Sequence, residues 1–570
     1  MSSLSFHVFM DNPHTHTFTI KMHIPAMGKD VLSLALPVWT PGSYLVREYS
    51  KNINRLYCED KNVGINKTAK NTWEITTNNQ AIDIIYELYA FEESVRTCWL
   101  DSERASIIPA GMFLFIEDTP LPVNISFHPH HAFKDIATSL PMVNNDPWVR
   151  FAADADTLYD SPIEIGNHIT QHFNAAGVEH TLVISGTGNY HIPSMITDMQ
   201  AVIETEVNIF KHHPCKSYLI ILNTSNTLRG GLEHLHSTSL IFKRLMFADR
   251  SNYQEFISLF AHEYFHLWNV KRLRPKALGP FNYIAENYTT SLWIAEGFTS
   301  YYDDLIVYRT GLYAEEEYLT IVEKNINLAE NAPGKKIMSV AEASFDAWIK
   351  YYRQNENSEN SQVNYYVRGG VLATLLDILI IHHSDGKHNL DNVMRTAYER
   401  FYVNRDSGYT EDEFKAVIEE FAGISMNDFY RQYVFGTSQI AFNDILCHVG
   451  LQLENTLENT IESDLGITIN NNNIITAVRR NSAGEQAGIY VSDEIIAING
   501  YRYSNGLLAS LTADAKTGDK LEIILSKSGR MHTVSATIQI TDKVNYRLKA
   551  MDDANDSQRA HYAKWLLKNK

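Results

Sequence analysis

His262-Glu263-Tyr264-Phe265-His266 is the stretch from which the rest of the chain is read. On a helix, residues four apart share a face, so His262 and His266 can hold one metal ion together. Glu263 lies one residue on, about 100° around the helix. There it stands beside the metal and can take a proton from an activated water. A chain of this length and composition gives roughly 0.06 such matches by chance, so the pentapeptide alone suggests a site without deciding it. Its surroundings add weight. Tyr253, Phe256, Ile257, Phe260, Tyr264, Leu267 and Trp268 keep helical spacing behind Ser251 and Asn252, which read as N-cap residues. Two histidines and a glutamate within an apolar helix need a partner, because burying them unpaired is costly. The expected ion is Zn2+.

A hydrolytic zinc site combines three protein ligands with one open position. Glu286 and Glu296 are the downstream candidates for the third ligand. Glu286 stands in the polar stretch Ala285–Tyr288, where a solvated glutamate needs no explanation. Glu296 sits in the apolar run Leu292-Trp293-Ile294-Ala295-Glu296-Gly297-Phe298, where a lone carboxylate does. Context favours Glu296.

The chain has 570 residues, 44% hydrophobic and 20% charged, as expected of several globular domains. A net charge of −18 argues against nucleic acid as a partner, since phosphate binding needs a basic surface. The four cysteines, Cys58, Cys98, Cys215 and Cys447, are widely separated and read as reduced, mostly buried thiols. No apolar run reaches the length of about 18 residues that a membrane span requires. Met1–Ile20 lacks the basic start and apolar core of a secretory signal, so a cytoplasmic location is expected.

Residues 1–165 read as β-rich: Thr17–Ile24, Val31–Val38, Thr72–Thr76, Ile82–Tyr89 and Val123–His128 are β-branched or aromatic and bounded by turn residues. Pro41-Gly42 marks a chain reversal. Strands are expected to continue to Leu222, and helices to dominate from Leu232 to Tyr433, including Leu292–Tyr308, Ala314–Ala329 and Val371–His383. Short strands return from Leu451, with Asn470–Asn473 as a hairpin loop. Tyr562, Trp565 and Leu566 mark a terminal helix.

His262–Pro275 (HEYFHLWNVKRLRP) and Leu292–Tyr302 (LWIAEGFTSYY) resemble the paired signatures of the glycyl aminopeptidase family of gluzincin zinc peptidases. Trp39–Tyr49 (WTPGSYLVREY) resembles that family's β-rich leading domain. The resemblance implies a multidomain α+β fold, with a thermolysin-like, mostly helical catalytic domain at 166–450 after the β-rich domain at 1–165; the charged tail at 546–570 reads as helical from its own spacing. The resemblance also implies removal of small N-terminal residues such as Gly and Ala. The long spacing from His266 to Glu296 implies an insertion at Lys271–Thr290. Tyr365-Tyr366-Val367-Arg368-Gly369 resembles the tyrosine signature of related aminopeptidases, with Arg368 in place of lysine; this makes Tyr366 the oxyanion donor and leaves Tyr365 its neighbouring rival. Gly230-Gly231-Leu232-Glu233-His234 resembles their substrate strand, in which the glycines let a peptide backbone approach and Glu233 holds the substrate α-amine. Asp303 reads as a solvated residue of the helix face, with a supporting role at the metal as the alternative.

Residues 451–545 resemble a PDZ domain, with Leu465-Gly466-Ile467-Thr468 as its carboxylate-binding loop. Ala483 replaces a common proline, and Ser492 replaces the usual glycine. Such a groove takes a C-terminal peptide as an added strand; the alternative is that the domain only packs against the catalytic domain. The expectation is a zinc aminopeptidase acting on peptides with a free N-terminus. The rivals are a zinc endopeptidase, or a PDZ-based binding protein on a metalloprotein platform.

Overall fold

Alternating apolar residues build the N-terminal region. Thr17–Ile24 turns Phe18, Ile20, Met22 and Ile24 inward, all with 0% exposure. In the computed structural model, which describes residues 3–117, 119 and 121–567, this strand lies between Leu4–Phe9 and Ile82–Tyr89, antiparallel to both, in a seven-stranded sheet. Leu4–Phe9 in turn pairs in parallel with Val123–His128. A four-stranded sheet containing Val31–Ala35 and Thr72–Thr76 packs its apolar face into the same core. The second expected strand thus stops at Ala35, three residues short of Val38.

A five-stranded sheet follows, with Ile169–Ala175 and Gly230–Glu233 at its edges and Val178–Ser185, Ser217–Ser225 and Ser237–Lys243 between them. The three inner strands run parallel. Helix Ile192–Phe210 makes the first crossover; it falls where strands were expected, although Met195, Met199, Val202, Ile203, Ile209 and Phe210 bury one face at helical spacing. Gly230–Glu233 is a strand, in keeping with its likeness to a substrate strand, and Ser237–Lys243, where helix was expected, is drawn into the sheet by pairing with it.

The chain divides into two compact units. The first runs to Thr289 and adds Tyr302–Tyr313 and Asp391–Phe414; it contains these sheets and helix Arg250–Phe265. The helix starts at Arg250 rather than after Ser251 or Asn252, because the side chain of Asp249 accepts from the Asn252 amide at 2.9 Å. The segment 271–289 carries one short 3-10 turn, Lys276–Leu278.

The second unit takes Thr290–Tyr301, Ala314–Leu390 and the chain from Lys415. Its helices include Glu315–Asn331 and Tyr365–His383. The latter is long and apolar enough to cross a membrane by length and composition, and 72% of that stretch is buried inside the protein. The expected helix Leu292–Tyr308 is two pieces, Leu292–Ala295 and Gly297–Arg309, with Glu296 at the joint.

The later strands of this unit enclose a separate core that includes Leu465, Ile467, Ile475, Ile498, Ile523 and Leu525. Asn470–Asn473 does link two antiparallel strands, Ile467–Ile469 and Ile475–Val478. Ser492 has φ of +74°, which explains why glycine suits that position. Helix Asp556–Trp565 is docked: Trp565 is fully buried and its Nε1 donates to the Tyr301 hydroxyl at 3.0 Å. The last residues of the expected tail, 568–570, lie outside the described residues. All four cysteines are free, Cys98 and Cys215 buried and Cys58 and Cys447 only half-buried.

Candidate metal and catalytic site

His262 and His266 end helix Arg250–Phe265, their ring centroids 4.7 Å apart. His262 Nδ1 bonds Asp303 Oδ2 at 2.9 Å, and His266 Nδ1 bonds the Asn269 carbonyl at 2.9 Å. Both partners are acceptors, so each Nδ1 carries a proton and Nε2 is the ring atom that would ligate a metal. Asp303 is therefore no solvated face residue: its side chain is 13% exposed and holds His262.

Ligand atoms of His262, His266 and Glu296 lie within 4.8 Å of one another, as do those of Glu233, Glu263 and His266. Among the described residues these two sets, sharing His266, are the only such groups of three. The first fits a zinc ion: two imidazoles with anchored rings and a carboxylate that is 2% exposed. Glu286 belongs to neither set.

Glu263 is buried against strand Gly230–Glu233. A Cβ added to Gly231 would lie 2.2 Å from Glu263 Oε1, so only glycine fits there. Burial raises the Glu263 pKa; His262 pulls it down, and the charge of Glu233 pushes it further up. Glu233 is 3% exposed and its Oε1 has no hydrogen-bond partner. The Pro41-Gly42 turn closes over it: Gly42 has φ of +87°, and a Cβ there would sit 2.5 Å from the carboxylate oxygens. Beside Glu233, His234 and Lys271 bond the half-buried Asp160, and this holds the strand end in place.

In the second unit, Asn364 caps helix Tyr365–His383 by accepting from the Tyr366 amide at 2.9 Å. The Tyr366 hydroxyl lies 3.3 Å from that of Tyr352. Burial and the charge of Glu296 hold its pKa well above the ordinary phenol value, so it remains a proton donor. Tyr365 is fully buried. Arg368 is spent on structure, pairing with Glu330 at 2.7 Å.

Two residues escaped the sequence reading. Glu206, on helix Ile192–Phe210, is fully buried with both carboxyl oxygens unpartnered; burial and the charge of Asp303 raise its pKa well above normal. Its polar place on an apolar helix face was the available signal. Arg96 reaches the Gly231 carbonyl at 2.8 Å from 135 positions away, and no local pattern marks it.

Residues 255–372 match the model of the M61 glycyl aminopeptidase, and residues 5–167 match the peptidase M61 N-terminal domain. An aminopeptidase N family protein from Idiomarina loihiensis is similar over 99% of this chain and 100% of its own, at 28% identity and a TM-score of 0.90. The M1 zinc metallopeptidase of Deinococcus radiodurans is similar at 12% identity and a TM-score of 0.49, covering 77% of this chain and 94% of its own. Native yeast LTA4 hydrolase is similar at 14% identity and 0.45, covering 77% and 68%. These last two are too remote to bear on function. No curated protein matches the sequence.

Proposed function

We propose that this protein is a zinc aminopeptidase that removes small N-terminal residues, such as Gly and Ala, from peptides. The observation that carries the reading is Glu233: a carboxylate, buried and lacking a partner at Oε1, with its ligand oxygen within 4.8 Å of those of Glu263 and His266. Burying such a group unpaired is costly unless a cation completes it, and the α-ammonium of a substrate is a cation of the right kind. The M61 glycyl aminopeptidase match and the Idiomarina loihiensis aminopeptidase N family protein support the same class.

His262, His266 and Glu296 would hold the zinc, which when bound polarises the scissile carbonyl and acidifies water. Glu263, its pKa raised by burial, takes the proton of the attacking water and passes it to the leaving nitrogen. Asp303 and the Asn269 carbonyl fix the orientation and tautomer of the two rings. Tyr366 donates its hydroxyl proton in a hydrogen bond to the developing oxyanion. Gly230 and Gly231 leave the strand edge bare for the peptide backbone, and Glu233 fixes the α-amine. We further read residues 451–545 as a PDZ domain whose main role is packing. In support, Asn327 and Asn331 bond the backbone of Tyr546 and Val544, and Asn360 bonds that of Val478 and Arg480.

The test is kcat/KM on matched free and N-acetylated alanyl peptides. Free-amine substrates should be preferred, and Glu233→Ala should lower their kcat/KM about 10–100-fold while metal content stays unchanged. Equal cleavage of the acetylated peptide by the unaltered enzyme would make it an endopeptidase instead.

A further inference from the structure

Gly230–Glu233 is the edge strand of its sheet, paired on one side only, with Ser237–Lys243. The His234 amide closes the hairpin by donating to the Ser237 carbonyl. In an antiparallel ladder the bonded positions alternate, so they fall at His234, Leu232 and Gly230. Gly231 and Glu233 therefore turn their peptide groups outward, away from the ladder. The Gly231 carbonyl is indeed taken by Arg96, whose Nη2 donates to it at 2.8 Å.

The loop that carries Arg96 is held rigidly. Ser94 Oγ accepts from the Arg96 amide at 3.0 Å, Thr97 Oγ1 donates to the Glu92 carbonyl at 2.6 Å, and the Tyr49 hydroxyl donates to the Arg96 carbonyl at 2.8 Å. Val95 packs on Leu232 and Ile241, at the strand itself. The guanidinium so placed forms no ion pair among the described residues, and its buried Nε has no hydrogen-bond partner. Nothing on Gly230 obstructs it: a Cβ there would still be 3.6 Å from Nη1.

An unpaired cation therefore faces the peptide edge at Gly230–Gly231, and an unpartnered carboxylate faces it at Glu233. Glu263 lies against Gly231, within reach of both charges. The span from Glu233 to Gly231 or Gly230 is two or three residues, about 7–10 Å. An extended di- or tripeptide covers about the same length. With its amine at Glu233 and its first peptide bond beside Glu263, a peptide this short brings its terminal carboxylate to Arg96. A guanidinium binds a carboxylate through paired N–H donors, a match that an uncharged amide end cannot offer.

We infer that Arg96 receives the C-terminal carboxylate of the substrate, so that the preferred substrates are di- and tripeptides with a free C-terminus. This rests on the aminopeptidase reading above, and the experiment separates the two. The zinc-loaded full chain is assayed on alanyl-alanine, trialanine and the C-terminal amide of each. The free acids should exceed their amides in kcat/KM by about 10–100-fold. Arg96→Gln should bring that ratio close to one, and Arg96→Lys should keep part of it. A ratio near one in the unaltered enzyme overturns the role of Arg96 and leaves the peptidase intact. A ratio that survives Arg96→Gln, with acid and amide falling together, makes Arg96 a strand support and also overturns it. Failure to cleave any of the four substrates counts against the aminopeptidase reading itself.

Discussion

Glu263 is the residue on which the proposed chemistry turns. Burial and Glu233 raise its pKa against the pull of His262, which makes it a stronger proton acceptor. Glu263→Gln should keep metal and fold yet lose activity by several orders of magnitude; zinc content and turnover measured on one preparation check this, and near-normal turnover would remove Glu263 from the mechanism. The metal ligands have their own test at this scale. Glu296→Gln should reduce bound zinc, whereas Glu286→Gln should not, because Glu286 joins no group of ligand atoms. Elemental analysis decides between them. The choice of Glu296 was legible from its apolar neighbours, since a carboxylate placed among Trp293, Ile294 and Phe298 must have a use. The surroundings of Glu233 were not legible, because Gly42, Glu233 and Glu263 meet only after strands far apart in sequence have paired.

Between elements, glycine sets how closely the helices of the second unit approach. A Cβ on Gly297 would lie 2.5 Å from the Gly369 Cα, and one on Gly369 would lie 2.6 Å from the Trp293 carbonyl oxygen. Backbone cannot yield as a flexible side chain can, so Gly369→Ala should cost about 1–3 kcal/mol. It should also lower kcat, since it pushes Tyr366's helix away from the segment bearing Glu296. Chemical denaturation and steady-state kinetics on the same variant test both effects. The terminal helix offers a pH test. His448 stacks on His382, centroids 3.5 Å apart, with His383 and His561 close by and Asp444 as the acidic neighbour. Burial, then the neighbouring imidazoles, push the His448 pKa down to about 4. In the unfolded chain the group protonates near its ordinary 6.5. Between those values the opened state binds more protons, so stability is lost as pH falls through that window. Protection of Asp556–Trp565 against hydrogen exchange, taken relative to the intrinsic rate at each pH, should therefore fall from about pH 6.5 to about pH 4, and His448→Gln should flatten the response. Protection that is independent of pH would refute this.

On the scale of the whole chain, the C-terminal module is fastened to the helices of its own unit. Asn327, Asn331 and Glu323 all bond the chain at 544–548, and Trp565 fills a buried site against Tyr301. Truncation after Gly450 should therefore lower Tm and reduce hydrolysis of long and short peptides alike, as expected when packing is lost. A selective loss on long peptides would instead show that the module's groove recruits substrate. Thermal melts and a peptide-length series on the truncated chain make the comparison.

What the sequence determined by itself was local. The histidine pair, its glutamate and the helix beneath them follow from a 3.6-residue period, and the strands of the N-terminal region follow from alternation; both signals lie within a few residues of the groups they place. The tertiary structure decided the rest. It made Gly230–Glu233 the edge of its sheet and turned Ser237–Lys243 into a strand, because ladder pairing outweighs local propensity. It brought Asp303 onto His262, closed Gly42 over Glu233, and set Arg96 against Gly231 across 135 residues. Contacts of that range depend on which distant segments share a core and an edge, and no periodicity in one segment records its partner in another.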